Sequence, residues 1–114
     1  MTTPLREQIE KLYAIHVAQP YYVALIDFTM SSPIVAMVVE GKNAVEVVRR
    51  MVGARAGIEA LPGTIRGDFS ITDSNRNLVH ASDSVENADR EVSIFFEDLS
   101  KYELAVEPWL YKLH

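Results

Sequence analysis

A histidine near the end of a short apolar run is the residue of this chain best suited to chemistry. His80 lies in the run Leu78–Ala81, and Ser82, Asp83 and Ser84 follow it with side chains that can cap a helix. This order predicts a strand that stops near His80 and a helix that begins just after it. Side chains at such a junction face ligands rather than the core. A neutral imidazole there is a competent nucleophile near neutral pH, because its unperturbed pKa is about 6.5.

Composition limits the classes of protein that could carry this histidine. The chain has 114 residues, of which 48% are hydrophobic and 24% charged, as expected for one ordinary globular domain. It has no cysteine, which excludes disulfides and thiolate metal sites. The net charge of -5 argues against nonspecific binding of nucleic acid, and no apolar run approaches the ~18 residues of a membrane span. With no visible signal peptide at Met1–Pro4, we expect a cytoplasmic protein.

Apolar spacing predicts four helices and two strands. The first helix is expected to be capped by Thr2 or Thr3, with Pro4 at its first position, and to end at Gln19-Pro20. The other predicted elements are the helices Tyr21–Met30, Ala44–Val52 (capped by Asn43, stopped by Gly53) and Val85–Phe96, and the strands Ile34–Val39 and Leu78–Ala81. The long connection 54–76 is interpreted as an ordered functional loop. A sheet of two strands is rarely stable alone, so these strands need others.

Several segments accompany the histidine in an order and spacing that are typical of one family. They are Pro20-Tyr21-Tyr22, Ser32–Gly41, Pro62–Phe69, Asn77–Asp83 and Val85–Glu91. In these motifs the chain resembles the nucleoside diphosphate kinases, from near Thr3 to the tail Trp109-Leu110-Tyr111. Members of this family carry a phosphoryl group between nucleotides on a histidine.

The resemblance implies fold class α+β, a ferredoxin-like α/β sandwich with a four-stranded antiparallel sheet. The family's first strand ends in a Lys-Pro-Asp-Gly motif whose lysine faces the phosphates, and this sequence has no such motif. We therefore expect residues 1–114 to form a single domain that lacks the family's first βαβ segment. Because that first strand lies between the two strands present, we expect this chain alone to be poorly stable or to misassemble.

The resemblance also implies roles for individual side chains. His80 is expected to be phosphorylated, and Glu91 to hold the far nitrogen of its ring, either directly or through Ser82. Tyr13 is expected to lie close to the histidine. The nucleotide contacts that the family pattern implies are Tyr21 (stacking on the base), Leu25 (its apolar neighbour), Arg49 and Arg66 (phosphates) and Asn77 (sugar and phosphate).

Arg55 departs from the family pattern, which usually has a threonine at its position. An arginine there could add a phosphate contact or obstruct one. Mg²⁺ is expected to arrive on the nucleotide phosphates. No protein metal site is predicted, because neither His16 nor His114 has ligand spacing to a second histidine or an acid.

The leading interpretation is a kinase that transfers the γ-phosphate of a nucleoside triphosphate to a nucleoside diphosphate through a phosphohistidine, with ping-pong kinetics. The alternative is a truncated, catalytically impaired member that acts only as a nucleotide-binding or assembly module. Nucleic-acid binding is a weaker third hypothesis. Without the family, His80 would more often be structural, and Tyr13 and Tyr21 could be plain core aromatics. The resemblance implies a homo-oligomer, because the family assembles as hexamers or tetramers. The apolar tail Leu99–Leu113, which contains Trp109, resembles that of the longer-tailed, hexameric members.

Overall fold

The computed structural model describes residues 1–70, 76 and 78–101. Short helices follow one another along this part of the chain. They are α1 (Arg6–Leu12), α2 (Tyr22–Met30), α3 (Ala44–Val52), α4 (Ile65–Phe69) and α5 (Val85–Phe95), with 3-10 turns at Ala14–His16 and Leu99–Lys101. No helix within these described residues is long and apolar enough to cross a membrane.

The core lies where α1 packs against both α2 and α5. Ile9 and Leu12 of α1 are three residues apart, so they share one face of the helix, and both are buried. Leu25 and Ile26 of α2 pack from the other side. Full burial of such a side chain stabilises the fold by about 1.5–3 kcal/mol. This pairing of α1 with α5 matters for function, because α1 leads into Tyr13 and α5 carries Glu91.

Three of the predicted helices are confirmed, with bounds within one residue. Ser84 caps α5 as predicted, since its Oγ accepts from the Asn87 amide at 3.1 Å. Gly53 ends α3 with a φ of 87°, where a Cβ would also overlap the Thr64 side chain. The predicted cap of α3 is only half right. Asn43 occupies the cap position with a left-handed φ of 56°, but its side chain makes no capping hydrogen bond.

The start and end of the first predicted helix are wrong. Thr2 does not cap it, because its backbone forms an antiparallel bridge to Ile34 with N–O distances of 2.8 Å in both directions. The helix begins at Arg6 instead, and the Gln8 side chain accepts from the Leu5 amide at 2.9 Å. It ends at Leu12, and the 3-10 turn Ala14–His16 continues the chain.

Neither predicted strand is present as a strand in the described residues. Ile34–Val39 pairs only at Ile34, and the side chains of Val35 and Met37 are 66% and 71% exposed. In Leu78–Ala81, Leu78 has a φ of 72°, which is incompatible with a regular strand.

Several predictions concern positions outside the described residues. These are Asn77, the loop Thr72–Asn75 and most of the tail, including Trp109. The connection 54–76 contains one element that the sequence did not predict, the helix α4, which carries Arg66.

Candidate phosphotransfer site

The structure brings His80 directly against Glu91. The imidazole Nε2 lies 2.9 Å from Glu91 Oε2, and the same oxygen accepts from Ser82 Oγ at 2.5 Å. The histidine side chain is 40% exposed and the glutamate side chain 11%. Because a carboxylate can only accept, this contact places the ring proton on Nε2 and leaves the Nδ1 lone pair for other chemistry. Within the described residues, Nδ1 has no hydrogen-bond partner.

Helix α5 fixes the position of Glu91. Ser84 caps the helix, and Arg90 ties it to the rest of the fold. The Arg90 guanidinium donates to the Lys11 carbonyl at 3.0 Å and lies 3.4 Å from Glu91 Oε1. The carbonyls in the last turn of a helix need donors from outside it, and Lys11 lies in the last turn of α1. The sequence analysis gave Arg90 no role, since this contact spans 79 residues.

Tyr13 lies beside the histidine. The two rings meet edge to face, with centroids 5.7 Å apart and planes at 81°. Burial raises the pKa of the Tyr13 hydroxyl above its ordinary value of 10.0; the Thr29 hydroxyl and Arg66 oppose this shift, and Glu91 adds to it. The phenol is therefore a neutral wall of the site at physiological pH.

We expect the buried phenol to make stability fall steeply at high pH. Below pH 10 the Tyr13 hydroxyl is protonated in both the folded and the unfolded state, so its ionisation does not change the free energy of unfolding. Above pH 10 the unfolded state loses the proton first, so the free energy of unfolding falls by up to about 1.4 kcal/mol per pH unit. Urea unfolding of Tyr13→Phe alongside the unsubstituted chain measures this term. The variant should lose less stability above pH 10; parallel curves would contradict the prediction.

Arg66 connects two segments of the site. Its guanidinium donates to the Gly53 carbonyl at 3.2 Å and to the Val79 carbonyl at 2.7 Å, next to His80. Helix α4 carries it, and Thr64 caps this helix by accepting from the Gly67 amide at 3.0 Å. Burial lowers the pKa of Arg66, and the positive charges of Arg49 and Arg55 lower it further. Arg49 and Arg55 therefore both lie close enough to Arg66 for their charges to act on it.

The other two arginines, Arg49 and Arg55, contact different parts of the site. Arg49 on α3 donates to the Ala81 carbonyl at 3.4 Å, one residue beyond the histidine. The Arg55 guanidinium lies 5.3 Å from the centre of the Tyr21 ring. The Tyr21 hydroxyl is hydrogen-bonded to His16 Nδ1 at 2.9 Å. The sequence analysis did not predict this contact of His16.

Two predicted site residues remain, Leu25 and Asn77. Leu25 of α2 is buried in the core, with 8% of its surface exposed. Asn77 falls outside the described residues. Among the residues that the structure describes, no group of three His, Asp or Glu side chains could hold a metal ion.

A cavity of about 910 Å³ borders this cluster at Arg49 and Gly53. It is lined by the segment after Val39, by α3 and by the start of α5, but not by His80, Glu91 or Arg66. The contact between His80 and Glu91 and the contacts of Arg66 therefore lie outside the lining of this cavity, whereas Arg49 belongs to both.

The sequence comparisons identify the family to which the chain is similar. A model of the nucleoside diphosphate kinase family matches residues 1–100. The nucleoside diphosphate kinase of Archaeoglobus fulgidus is 54% identical over 109 residues, which cover 94% of this chain and 72% of that protein. The enzyme of Staphylococcus carnosus is 49% identical over 112 residues, or 96% of this chain and 74% of the relative.

Solved structures give the same result. A nucleoside diphosphate kinase from Encephalitozoon cuniculi superposes with a TM-score of 0.85 at 32% identity, covering 96% of this chain and 75% of that one. The Halobacterium salinarum enzyme, solved in complex with CDP, gives 0.82 at 35% identity over 98% of this chain and 75% of its own. The family match and these relatives define a phosphotransferase. The chain belongs to the nucleoside diphosphate kinase family, and the resemblance seen in the sequence is confirmed.

Proposed function

We propose that this chain moves the terminal phosphate of a nucleoside triphosphate to a nucleoside diphosphate by way of His80. The observation that carries the proposal is the 2.9 Å contact between Nε2 and Glu91, which directs the basic nitrogen Nδ1 away from the carboxylate. A nucleophile held in one tautomer and half exposed to solvent is suited to attack on a phosphorus atom.

In the first half-reaction the Nδ1 lone pair forms a bond to the γ-phosphorus. The bond from that phosphorus to the bridging oxygen breaks, and its electron pair leaves with the nucleoside diphosphate. The phosphorylated ring keeps its proton on Nε2 and becomes positively charged, so the Glu91 carboxylate stabilises it. In the second half-reaction a terminal oxygen of another nucleoside diphosphate attacks the phosphorus, and the N–P electron pair returns to Nδ1.

The arginine cluster is proposed to bind the phosphates. Guanidinium groups match phosphate oxygens in charge and geometry, and Arg49, Arg55 and Arg66 lie near one another around the segment that carries His80. Mg²⁺ bound to the nucleotide phosphates would neutralise further charge, and it needs no cage of protein carboxylates. Tyr21 is proposed to stack on the base, which reads little of base identity.

We also propose for this chain other features of the family, because the chain belongs to it. They are the ferredoxin-like sandwich and the assignment of residues 1–114 to one domain. The exposed apolar side chains of Val35, Met37 and Val39 support a sheet, because such side chains need a covering partner. A homo-oligomer, with a hexamer favoured over a tetramer, and a cytoplasmic location complete the proposal.

Transfer of a labelled phosphate tests the function. Incubation with γ-labelled ATP and Mg²⁺ should give an acid-labile label on His80, located by mass spectrometry under neutral conditions. Addition of unlabelled GDP should then remove the label from the protein and produce labelled GTP. A protein that binds ADP but never takes up label would instead be the nucleotide-binding module, the alternative that the absence of the Lys-Pro-Asp-Gly motif favours.

A further inference from the structure

Arg55 covers a surface that the proposed function assigns to the nucleotide base. Its guanidinium lies 5.3 Å from the centre of the Tyr21 ring, within the range of a cation–π contact. A base cannot stack on the same face while the guanidinium occupies it. Arg55 is exposed, and its long side chain can change rotamer without disturbing the core.

The tyrosine, by contrast, is held in place. Its hydroxyl is hydrogen-bonded to His16 Nδ1 at 2.9 Å, and the His16 ring lies 6.2 Å from the Tyr13 ring. Tyr13 in turn contacts His80. The ring of Tyr21 is therefore a fixed platform, and the arginine is the part that moves when a base arrives.

The phosphates provide a reason for the arginine to move. Arg55 lies close enough to Arg66 for its charge to lower the pKa of that group, and Arg66 reaches the carbonyl of Val79 beside the nucleophile. A guanidinium binds a phosphate more strongly than it binds an aromatic face, because phosphate contacts are charge-assisted.

We propose that Arg55 is a phosphate-operated gate, which blocks the Tyr21 face until the phosphates of the incoming nucleotide draw it away. The gate makes base stacking depend on the presence of phosphates, so the site discriminates against nucleosides without phosphates. This inference rests on the proposed function, since it requires a nucleotide between Tyr21 and the arginines. Arg55 thereby acts as a specificity-determining residue.

Binding of adenosine and ADP to the unphosphorylated protein tests the gate, because neither ligand can phosphorylate His80. In Arg55→Gln, adenosine should bind about two- to five-fold more tightly, since no cation competes for the ring. ADP should bind at least about ten-fold more weakly, since a charged phosphate contact is lost. The preference for ADP over adenosine, expressed as the ratio of their association constants, should therefore fall by about 20-fold or more. Calorimetry and NMR titration measure the two constants.

Matched variants separate the gate from other causes. Arg50→Gln removes a nearby guanidinium that pairs with Glu46 on the surface of α3, and both affinities should stay unchanged. In Tyr21→Ala the gain in adenosine affinity from Arg55→Gln should disappear. Equal weakening of both ligands by Arg55→Gln, or weaker adenosine binding, would overturn the gate while leaving the proposed function intact. Failure of the unsubstituted chain to bind either ligand would overturn both.

Discussion

Replacing His80 with glutamine is expected to lower the rate of phosphate transfer from ATP to GDP by at least about 10³-fold. The amide of glutamine can still donate to Glu91, which preserves the contact now made at 2.9 Å. It has no basic nitrogen, however, so it cannot form the bond to phosphorus. Initial rates with both nucleotides, combined with the labelling assay, measure the loss.

The folded state should be nearly unaffected by this change. The His80 side chain is 40% exposed, and surface substitutions usually alter the free energy of unfolding by less than about 0.5 kcal/mol. His16→Gln is the matched control, because it removes an imidazole that contacts Tyr21 and not the glutamate. That variant should still take up label. A His80→Gln protein that retained transfer within ten-fold of the original rate would rule out the phosphohistidine route.

Local signals in the sequence predicted the helices well. Ser84 precedes the amphipathic stretch of α5, and Gly53 follows that of α3. Serine favours the start of a helix and glycine its end, so neighbouring residues alone identified the start of α5 and the end of α3. The start of α1 was missed for the opposite reason. Thr2 is a good capping residue, but its backbone pairs with Ile34, which lies 32 residues away. Long-range pairing overrode the local preference.

The strands illustrate the same limit. The β-branched run Ile34–Val39 strongly favours extended backbone. A strand also needs a neighbouring segment to hydrogen-bond with, and residue types alone do not indicate one. In the segment that ends near His80, side chains satisfy the carbonyls that a neighbouring strand would otherwise bind. Arg66 takes the Val79 carbonyl, and Arg49 takes that of Ala81.

For the site, the family motifs brought the main residues to attention, and the structure adds the contacts between them. The direct contact between His80 and Glu91 was one of two arrangements left open, and Ser82 proves to share the same oxygen. The links from Arg90 to Lys11 and from His16 to Tyr21 were missed. The first spans 79 residues, and the second depends on the path of a 3-10 turn, so neither leaves a periodic signal.

Replacing Arg66 with methionine is expected to damage stability and catalysis together. The side chain keeps its apolar stem but loses the donors to Gly53 and Val79. Hydrogen bonds from a charged donor contribute about 1.5–3 kcal/mol, so the free energy of unfolding should fall by about 2–3 kcal/mol. The segment leading to His80 loses its anchor, and the phosphates lose a cation. We therefore expect kcat/KM to fall by about 10²–10³-fold.

Urea unfolding and steady-state kinetics on the same preparations distinguish the two effects. Arg50→Met is the matched control, since its guanidinium pairs with Glu46 across the exposed face of α3, and it should change neither quantity appreciably. Arg66→Lys restores the charge but not the planar fork that reaches two carbonyls at once. It should therefore recover part of the activity and little of the stability. If Arg66→Met lost activity at unchanged stability, the hydrogen bonds to Gly53 and Val79 would not stabilise the fold. The arginine would then act on the phosphates alone.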